Sequence, residues 1–302
     1  MMMPFSISRM GNDYYTTVRT SPGMAGLFRL ARPVNCLMSA LGVAIGGVVA
    51  LGIGTTASIE PVKSLVLAGA AAALFTAGGK ALNDIYDRET DRINHPDRPL
   101  VSGALTVRAA YAFTAVVFVA AAILAVFINV YAVAIVVVNA GLMLSYEAAL
   151  KARGAPGNLV ISYLVGSLFL FAGVAVLPFA PDALVRTGIL AALAFLATLG
   201  REITKDIEDI RGDADRRTLP QRLGARRAGA LAASALVLAG VLSFLPIYFR
   251  VLPLAYGAFV IPADGMFIYA ALHSAASPSR SQRITKYGMI VALAAFLAGA
   301  FL

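Results

Sequence analysis

Residues 80–100 read KALNDIYDRETDRINHPDRPL and close an apolar segment with a dense group of charges. Three carboxylates, Asp84, Asp87 and Asp91, are spaced by three and four residues. If the preceding helix continues, this spacing places all three on one face, where like charges destabilise a helix by about 0.2–0.5 kcal/mol per pair. A divalent cation or the neighbouring basic residues would offset this repulsion. Taken alone, the stretch leaves a metal site and a solvated charged loop equally open.

A second copy of the pattern occurs later in the chain, in KDIEDIRGDADRRTLP. Asp206, Asp209 and Asp213 repeat the spacing, and each lies equally far along the chain from its counterpart in the first cluster. Both copies end an apolar segment and continue into arginines and a proline. Two matching clusters are difficult to explain as accidental solvation, so the repeat favours a shared function.

The composition is that of an integral membrane protein. Of 302 residues, 59% are hydrophobic and 14% are charged, and the mean hydropathy is +0.80. Soluble domains are about 45–50% apolar and about 25% charged. The formal charge of +9 is explained by the basic residues that cytoplasmic loops of membrane proteins carry. We therefore expect membrane lipid, and no nucleic acid, as a partner.

The apolar segments predict an all-α fold, an integral membrane bundle of nine transmembrane helices. Each segment has about the 20 residues needed to cross a bilayer, and none shows the short alternating strands of a barrel. Residues 1–25 are expected to form a mobile or interfacial tail, and residues 26–302 a single transmembrane domain. The predicted spans are 26–54, 62–86, 107–128, 130–150, 157–178, 183–204, 227–248, 251–273 and 286–302.

The basic residues predict the orientation of these spans. With the N-terminus inside, all but three of the 25 lysines and arginines face the cytoplasm, the exceptions being Lys63, Arg186 and Arg250. This asymmetry favours a cytoplasmic N-terminus and an external C-terminus. Both acidic clusters then lie on the cytoplasmic face, after helices two and six, where their loops would form a cap. Matching motifs four helices apart also predict a four-helix pseudo-repeat followed by one extra helix.

The two clusters predict a magnesium site. Their ligands are all oxygen atoms, without a nearby histidine or cysteine, and such ligands suit Mg²⁺ better than zinc. Two facing clusters would hold metal ions between them and share a diphosphate as ligand. The predicted metal ligands are Asn83, Asp84, Asp87, Asp206, Asp209 and Asp213.

Basic and polar residues in the same band predict a clamp on phosphate oxygens. Each basic residue taken singly is better explained by anchoring at the membrane interface, so the prediction depends on the group. Asp264 differs because it falls near the middle of a span, where a carboxylate indicates function by default, a hydrogen-bonded packing residue being the alternative. The predicted substrate-binding residues are Arg32, Asn35, Lys80, Arg98, Arg201, Lys205 and Asp264.

A cation-coupled transporter is the competing class. Transporters commonly contain inverted repeats and bind ions near the midplane. Here the two acidic clusters have the same topology and lie at cytoplasmic helix ends. These features favour an enzyme over a transporter.

The paired motifs resemble those of the UbiA superfamily of intramembrane prenyltransferases. The resemblance covers nearly the whole chain beyond residue 25. The family motif NDxxDxxxD matches residues 83–91, and DxxDxxxD matches residues 206–213. Further matches are RPxN at Arg32, Pro33 and Asn35, Tyr-x4-Lys at Tyr146 and Lys151, and RPLxxG from Arg98 to Gly103.

The resemblance implies Mg²⁺-dependent prenyl transfer from a diphosphate to a lipid-like acceptor. Asn83, Asp87, Asp206 and Asp209 would be the principal metal ligands, while Asp84, Asp91 and Asp213 would bind metal or hold basic residues. Lys151, Arg201 and Lys205 would grip the diphosphate. The residues assigned catalytic roles are Asp87, Asp209, Lys151, Tyr146, Asp91 and Asp213.

The stretch RPVNCLMSALGVAIGG, residues 32–47, resembles the archaeal ether-lipid branch of the superfamily. Members of that branch transfer geranylgeranyl from its diphosphate to the free hydroxyl of geranylgeranylglyceryl phosphate. The alternative is the branch that prenylates aromatic acceptors such as 4-hydroxybenzoate for quinone biosynthesis. The sequence predicts neither the oligomeric state nor the length of the prenyl chain.

Overall fold

The structure is a computed structural model that describes residues 23–52, 59–211 and 217–302. Within these ranges the chain forms helices and turns and no strand, which confirms the all-α prediction. Most of the predicted tail, residues 1–22, lies outside the described residues, and the first helix begins at Met24. The helices are α1 Met24–Ala31, α2 Pro33–Leu51, α3 Ile59–Tyr86, α4 Arg88–Asn94, α5 Val107–Val126, α6 Val130–Ser145, α7 Ala155–Val176, α8 Ala183–Glu208, α9 Leu219–Leu223, α10 Ala225–Leu242, α11 Leu245–Tyr248, α12 Tyr256–His273 and α13 Pro278–Ala300.

Eight helical segments of the described chain are long and apolar enough to cross a membrane. The ninth predicted span, 251–273, is present as α12 but is not among the eight, because Asp264 and other polar residues reduce its apolar character. The eight segments are Pro33–Leu51, Ile59–Tyr86, Val107–Val126, Val130–Arg153, Ala155–Val176, Ala183–Glu208, Ala225–Tyr248 and Pro278–Ala300.

The first predicted span, 26–54, is wrong as a single helix. It is divided at Arg32, whose φ of 51° lies in the left-handed region. The following proline explains the break, because its ring disfavours the right-handed helical conformation at the preceding residue. Pro33 then begins α2 at a position where a missing N–H costs nothing. The short helix α1 is therefore set apart from the membrane-crossing α2.

The long helices pack in chain order around a closed bundle. Within the described part, α2 packs on α3, α3 on α5, α5 on α6, and so on through α7, α8, α10, α12 and α13. The last helix, α13, returns to α2. Small residues permit close contact, as at Gly166, where a Cβ would lie 2.7 Å from the carbonyl oxygen of Ala191 on α8. Such contacts are how helices associate when burial in lipid gives no hydrophobic driving force.

Candidate active site

The first acidic cluster lies at a bend between α3 and α4. Asp87 occupies the bend, and the hydrogen bonds from Asp87 N to Asn83 O and from Asp91 N to Asp87 O, both 2.8 Å, keep the helical path nearly continuous. The three aspartates nevertheless have different neighbours. Asp84 and Asp91 face one set of basic residues, and Asp87 faces another. The single charged face expected from the spacing is thus divided in two.

Two arginines bind Asp84 and Asp91. Arg32, at the break between α1 and α2, forms an ion pair with Asp84, and Arg98 contacts both Asp84, at 3.3 Å, and Asp91. The side chains of Asp84 and Asp91 are 3% and 6% exposed. Because buried carboxylates require partners, this arrangement matches the alternative in which Asp84 and Asp91 hold basic residues. The metal role of Asp84 stays a prediction.

The other side of the bend meets the end of α6, which continues as a π turn, Tyr146–Leu150, and a 3-10 turn, Lys151–Arg153. Lys151 Nζ donates hydrogen bonds to Asp87 Oδ2 at 2.5 Å and to Glu147 Oε2 at 3.2 Å. Asn83 Nδ2 donates to the same two carboxylates, at 2.9 Å to Asp87 and 3.0 Å to Glu147. Tyr146 lies beside this network, with its ring centre 5.9 Å from Lys151 Nζ. A lysine and an amide thus hold two carboxylates together.

The second acidic cluster follows α8. Asp206 Oδ2 accepts a hydrogen bond of 2.9 Å from Asn158 Nδ2 on α7, and Asp209 begins a 3-10 turn, Asp209–Arg211. Both aspartates have further interactions. Asp213, predicted as a catalytic and metal-binding residue, lies outside the described residues. Of the three aspartates in the second copy of the motif, the structure therefore describes Asp206 and Asp209.

One turn joins the two clusters. Lys151 binds the first cluster through its side chain, and the next residue, Ala152, accepts a 2.9 Å hydrogen bond from the backbone of Arg217, beyond the second cluster. Gly154 follows with φ of 71°, and a Cβ there would lie 2.8 Å from Leu219 N. A glycine permits both the backbone conformation and the close approach. The turn therefore brings the chain after the second cluster against the residues that bind the first.

A cavity of about 400 Å³ opens beside the clusters. Most of its lining is apolar and comes from α2, α7, α8, α12 and α13, while Lys80, Arg201, Glu202 and Lys286 are its charged lining residues. Met38 of α2 and Ile290 of α13 line the cavity and are 40% and 44% exposed. They indicate a lateral opening between these two helices, which share a buried cluster elsewhere along their length, around Val49 and Phe296. The volume falls within the range of about 300–1,000 Å³ common for ligand pockets.

Charged residues from α3 and α8 lie close together where Lys80, Arg201 and Glu202 line the cavity. Lys80 lies close enough to interact electrostatically with Arg32, Glu202, Glu147 and Lys205. Arg201 donates hydrogen bonds to Glu202 at 2.7 Å and to Gln282 of α13 at 3.4 Å. The structure therefore brings Lys80, Arg201 and Lys205 together near the cavity, and their roles toward a substrate stay predictions.

Asn35 and Asp264 have different environments from these cations. Asn35 lies half-buried in the first turn of α2, where its backbone N–H donates to Arg32 O at 2.9 Å. Asp264 is buried between α12 and α10, where Ser243 Oγ donates to its Oδ2 at 2.8 Å. Asp264 is not one of the residues that line the cavity. Its contacts match the hydrogen-bonded packing alternative, and its predicted role in binding substrate stays untested.

Four residues of this region were missed by sequence reasoning: Glu147, Asn158, Glu202 and Lys286. Two of them carried a usable signal, because Glu147 and Glu202 are carboxylates within apolar spans, one helical turn before Lys151 and Asp206. An ionisable residue inside a span indicates function in the same way that Asp264 did. Asn158 and Lys286 carried no comparable signal, since polar residues are common near helix ends.

The donor chemistry of the clusters fits Mg²⁺. Asn83, Asp87, Asp206 and Asp209 present only oxygen atoms as ligands, which is the type that this ion prefers. Among the residues that the structure describes, no three Asp, Glu, His or Cys side chains form a group that could hold a metal ion. Lys151 instead balances the charge of Asp87. The set of six predicted ligands therefore stays a prediction that rests on donor type.

Comparison with known proteins identifies the class. The sequence profile of the UbiA prenyltransferase family matches residues 40–299, so the chain belongs to that family. The protein is therefore an enzyme, a prenyltransferase, and its eight candidate spans are those of a multi-pass membrane protein.

Individual relatives point to one branch of the family. The chain is 42% identical over 276 residues to the digeranylgeranylglyceryl phosphate synthase of Halobacterium salinarum, with 91% of this chain and 96% of the relative covered. It resembles a solved structure concerned with digeranylgeranylglyceryl phosphate synthase in membranes, with a TM-score of 0.76, 33% identity, and 91% and 98% of the two chains covered. The fold is also that of a UbiA homolog from Archaeoglobus fulgidus solved with DMAPP and Mg²⁺, with a TM-score of 0.64, 19% identity, and 91% and 98% coverage. Of these three proteins, the two with the higher identity to this chain carry the name of the archaeal lipid synthase.

Proposed function

We propose that this enzyme transfers a geranylgeranyl group from geranylgeranyl diphosphate to the hydroxyl of geranylgeranylglyceryl phosphate, which makes an archaeal ether-lipid precursor. The observation that carries the proposal is the cavity, whose lining is mostly apolar and includes Lys80, Arg201 and Lys286. An isoprenoid chain with an anionic head matches that distribution of apolar surface and charge. The name of the 42% identical relative supports the choice of acceptor.

Mg²⁺ is the proposed cofactor. Asn83, Asp87, Asp206 and Asp209 would hold it, and when bound it would supply positive charge to the oxygens of the departing diphosphate. The Archaeoglobus fulgidus homolog of this fold was solved with the same ion and a prenyl diphosphate. Asp84 and Asp91 would act differently, by positioning Arg32 and Arg98.

Residues of the chain would bind the diphosphate and exclude water. Lys151, Arg201 and Lys205 would contact its oxygens, with Lys80 and Tyr146 close by. The segment 88–106, which contains α4, and residues 217–226, which contain α9, would cover the site, because a carbocation-like prenyl fragment is captured by water unless water is kept out. The backbone contact between Ala152 and Arg217 supports this role, since it anchors the second of these segments beside Lys151.

The reaction exchanges one carbon–oxygen bond for another. The bond from C1 of the prenyl group to the diphosphate breaks, its electron pair leaves with the diphosphate, and the acceptor oxygen forms a new bond to C1. The hydroxyl proton passes to a carboxylate of the first cluster or to a diphosphate oxygen. Holding both reactants in one cavity lowers the entropy cost of their meeting.

The proposed orientation places the N-terminus and the active site in the cytoplasm and the C-terminus outside. It treats α12 as a ninth span, which follows α10 and packs on α13. Only Lys63, Arg186 and Arg250 among the basic residues then face outward, in keeping with the positive-inside rule. In this order α3 is the second span and α8 the sixth, so the helices that carry the two acidic motifs hold equivalent places in a four-helix pseudo-repeat.

The test is an assay of purified protein with labelled geranylgeranyl diphosphate and Mg²⁺, with either geranylgeranylglyceryl phosphate or 4-hydroxybenzoate as acceptor. We expect labelled diether lipid with the first acceptor and no product with the second. Product with 4-hydroxybenzoate alone would move the protein to the aromatic branch. No product with either acceptor, from protein that is monodisperse and folded, would contradict the proposed substrates.

A further inference from the structure

Lys286 has no ion-pair partner in either acidic cluster among the described residues. It lies on α13, among the lining residues of the cavity, one helical turn before Ile290 at the lateral opening. It is exposed, and the described residues give it no hydrogen bond and no ion pair. Its ammonium group is therefore available to an anion that enters the cavity.

Three of the other cations near the site are already engaged in hydrogen bonds or ion pairs. Lys151 is held by Asp87 and Glu147, and Arg98 by Asp84 and Asp91. Arg201 is bonded to Glu202 and Gln282. Lys286 differs from these three because the described residues give it no hydrogen-bonded or ion-paired partner. Lys80 also lacks such a partner, but it is half-buried near Glu202 and Glu147, whereas Lys286 is exposed.

The position of Lys286 separates it from the first cluster. Its helix packs against α12, α8 and α2, whereas the turns that carry Lys151 pack against α3, α6 and α7. Lys286 lines the cavity and Lys151 does not, so the two lysines belong to different parts of the site. A nucleophile that displaces a diphosphate approaches C1 from the face opposite the leaving group. An acceptor with its own phosphate consequently needs a cation away from the one that holds the diphosphate.

We propose that Lys286 binds the phosphate headgroup of the lipid acceptor as the acceptor enters between α2 and α13, and thereby selects a phosphorylated acceptor. This proposal rests on the proposed function, because it assumes that acceptor class. The apolar chain of the acceptor lies in the opening marked by Met38 and Ile290, and its phosphate stays at the charged end of the cavity. A lysine suits this task because its ammonium group donates hydrogen bonds to phosphate oxygens in several orientations.

Steady-state kinetics of three variants test the role. Lys286→Met removes the charge and keeps the apolar stem, Lys286→Arg keeps the charge, and Arg283→Met removes an equal charge from the same helix at an exposed residue that does not line the cavity. We expect Lys286→Met to raise the KM for geranylgeranylglyceryl phosphate about tenfold or more. Its kcat and its KM for the donor should stay within about twofold, and Lys286→Arg should restore most of the loss.

Acceptor specificity gives a second readout. Unphosphorylated geranylgeranylglycerol should be a poor acceptor for the parent protein, and Lys286→Met should reduce the preference for the phosphate by about tenfold. An equal rise in both KM values would overturn the proposal, because Lys286 would then bind the donor. The same loss in Arg283→Met would also overturn it, because the charge would then act only at the membrane interface.

Equilibrium binding separates failure of this proposal from failure of the proposed function. Labelled geranylgeranylglyceryl phosphate is titrated against the protein in nanodiscs, without donor and without metal. About tenfold weaker binding to Lys286→Met supports the proposal even if turnover requires another donor. Unchanged binding in a turnover-competent variant overturns the role of Lys286 and leaves the proposed function standing. No binding to the parent protein contradicts both.

Discussion

The two acidic clusters share one spacing but differ in the burial of their aspartates. At the first cluster, Asp84 and Asp91 pair with arginines while their side chains are 3% and 6% exposed, and Asp87 is 19% exposed. At the second cluster, Asp206 and Asp209 are half-buried. Buried pairs are costly to break because one charge is left uncompensated. The first cluster therefore contributes to the stability of the bundle as well as to its chemistry.

The difference comes from where each cluster lies in the bundle. The first is at a junction of the α1–α2 break, the α3–α4 bend and the turns after α6. The second ends α8 and leads toward residues held by the backbone of Ala152. The repeated motif thus has a partly structural role at the first cluster, and its second copy is less buried. The following predictions test that division, from the largest expected effect to the smallest.

The two clusters should be equally necessary for catalysis. Asp87→Ala and Asp209→Ala should each reduce kcat by about 100-fold or more, because each removes a predicted ligand of the ion that stabilises the departing diphosphate. Turnover of the labelled donor measures the loss, and size-exclusion chromatography in detergent checks the fold. Full activity in both variants would refute a site shared by two clusters.

The pair of Lys151 and Glu147 should be the most sensitive stabilising contact of the first cluster. Lys151→Met leaves Glu147 buried without its cation, and we expect a loss of about 3–5 kcal/mol in the free energy of unfolding. The double variant Lys151→Met, Glu147→Gln should recover part of that stability without recovering activity, because Asp87 still lacks its cation. Unfolding in SDS titrations measures both variants. Equal instability of the single and double variants would contradict a charge-pair origin.

Matched arginine variants compare the two clusters directly. Arg98→Met removes the cation that lies between the buried carboxylates of Asp84 and Asp91, so these two negative charges then repel each other. The free energy of unfolding should fall by about 3 kcal/mol. Arg201→Met removes a more exposed pair, and should cost less than about 1 kcal/mol while it weakens substrate binding. The same SDS titrations, with KM values for each substrate, separate the two effects. A reversed order of stability would refute the division between the clusters.

Two glycines test the turn that joins the clusters. Gly154 and Gly224 both have positive φ, 71° and 81°, so alanine costs about 1 kcal/mol at either site through backbone strain. Only at Gly154 would the new Cβ also meet backbone, 2.8 Å from Leu219 N, since nothing lies within 4 Å at Gly224. We expect Gly154→Ala to lower both stability and kcat, and Gly224→Ala to lower stability alone. Equal kcat values would show that the contact with residues 217–219 is not needed for turnover.

The positions of most spans, the all-α fold and both acidic clusters could be predicted without coordinates. Their signals are local, because a run of about 20 apolar residues and a spacing of three and four residues are visible in one segment of chain. The family motifs likewise placed Arg32, Tyr146 and Lys151 near the site before their partners were known. The break at Arg32 was missed, although Pro33 was its signal in the sequence.

Only the tertiary structure decided which residues meet. It divided Asp84 and Asp91 from Asp87, added Glu147 and Asn158 to the clusters, placed Asp264 against Ser243, and brought Lys286 to the cavity. The physical reason is that membrane helices are apolar on every side, so their sequence periodicity does not show which face points inward. Close packing of small residues selects the neighbours of each helix, and those neighbours turn a repeated acidic motif into two different environments.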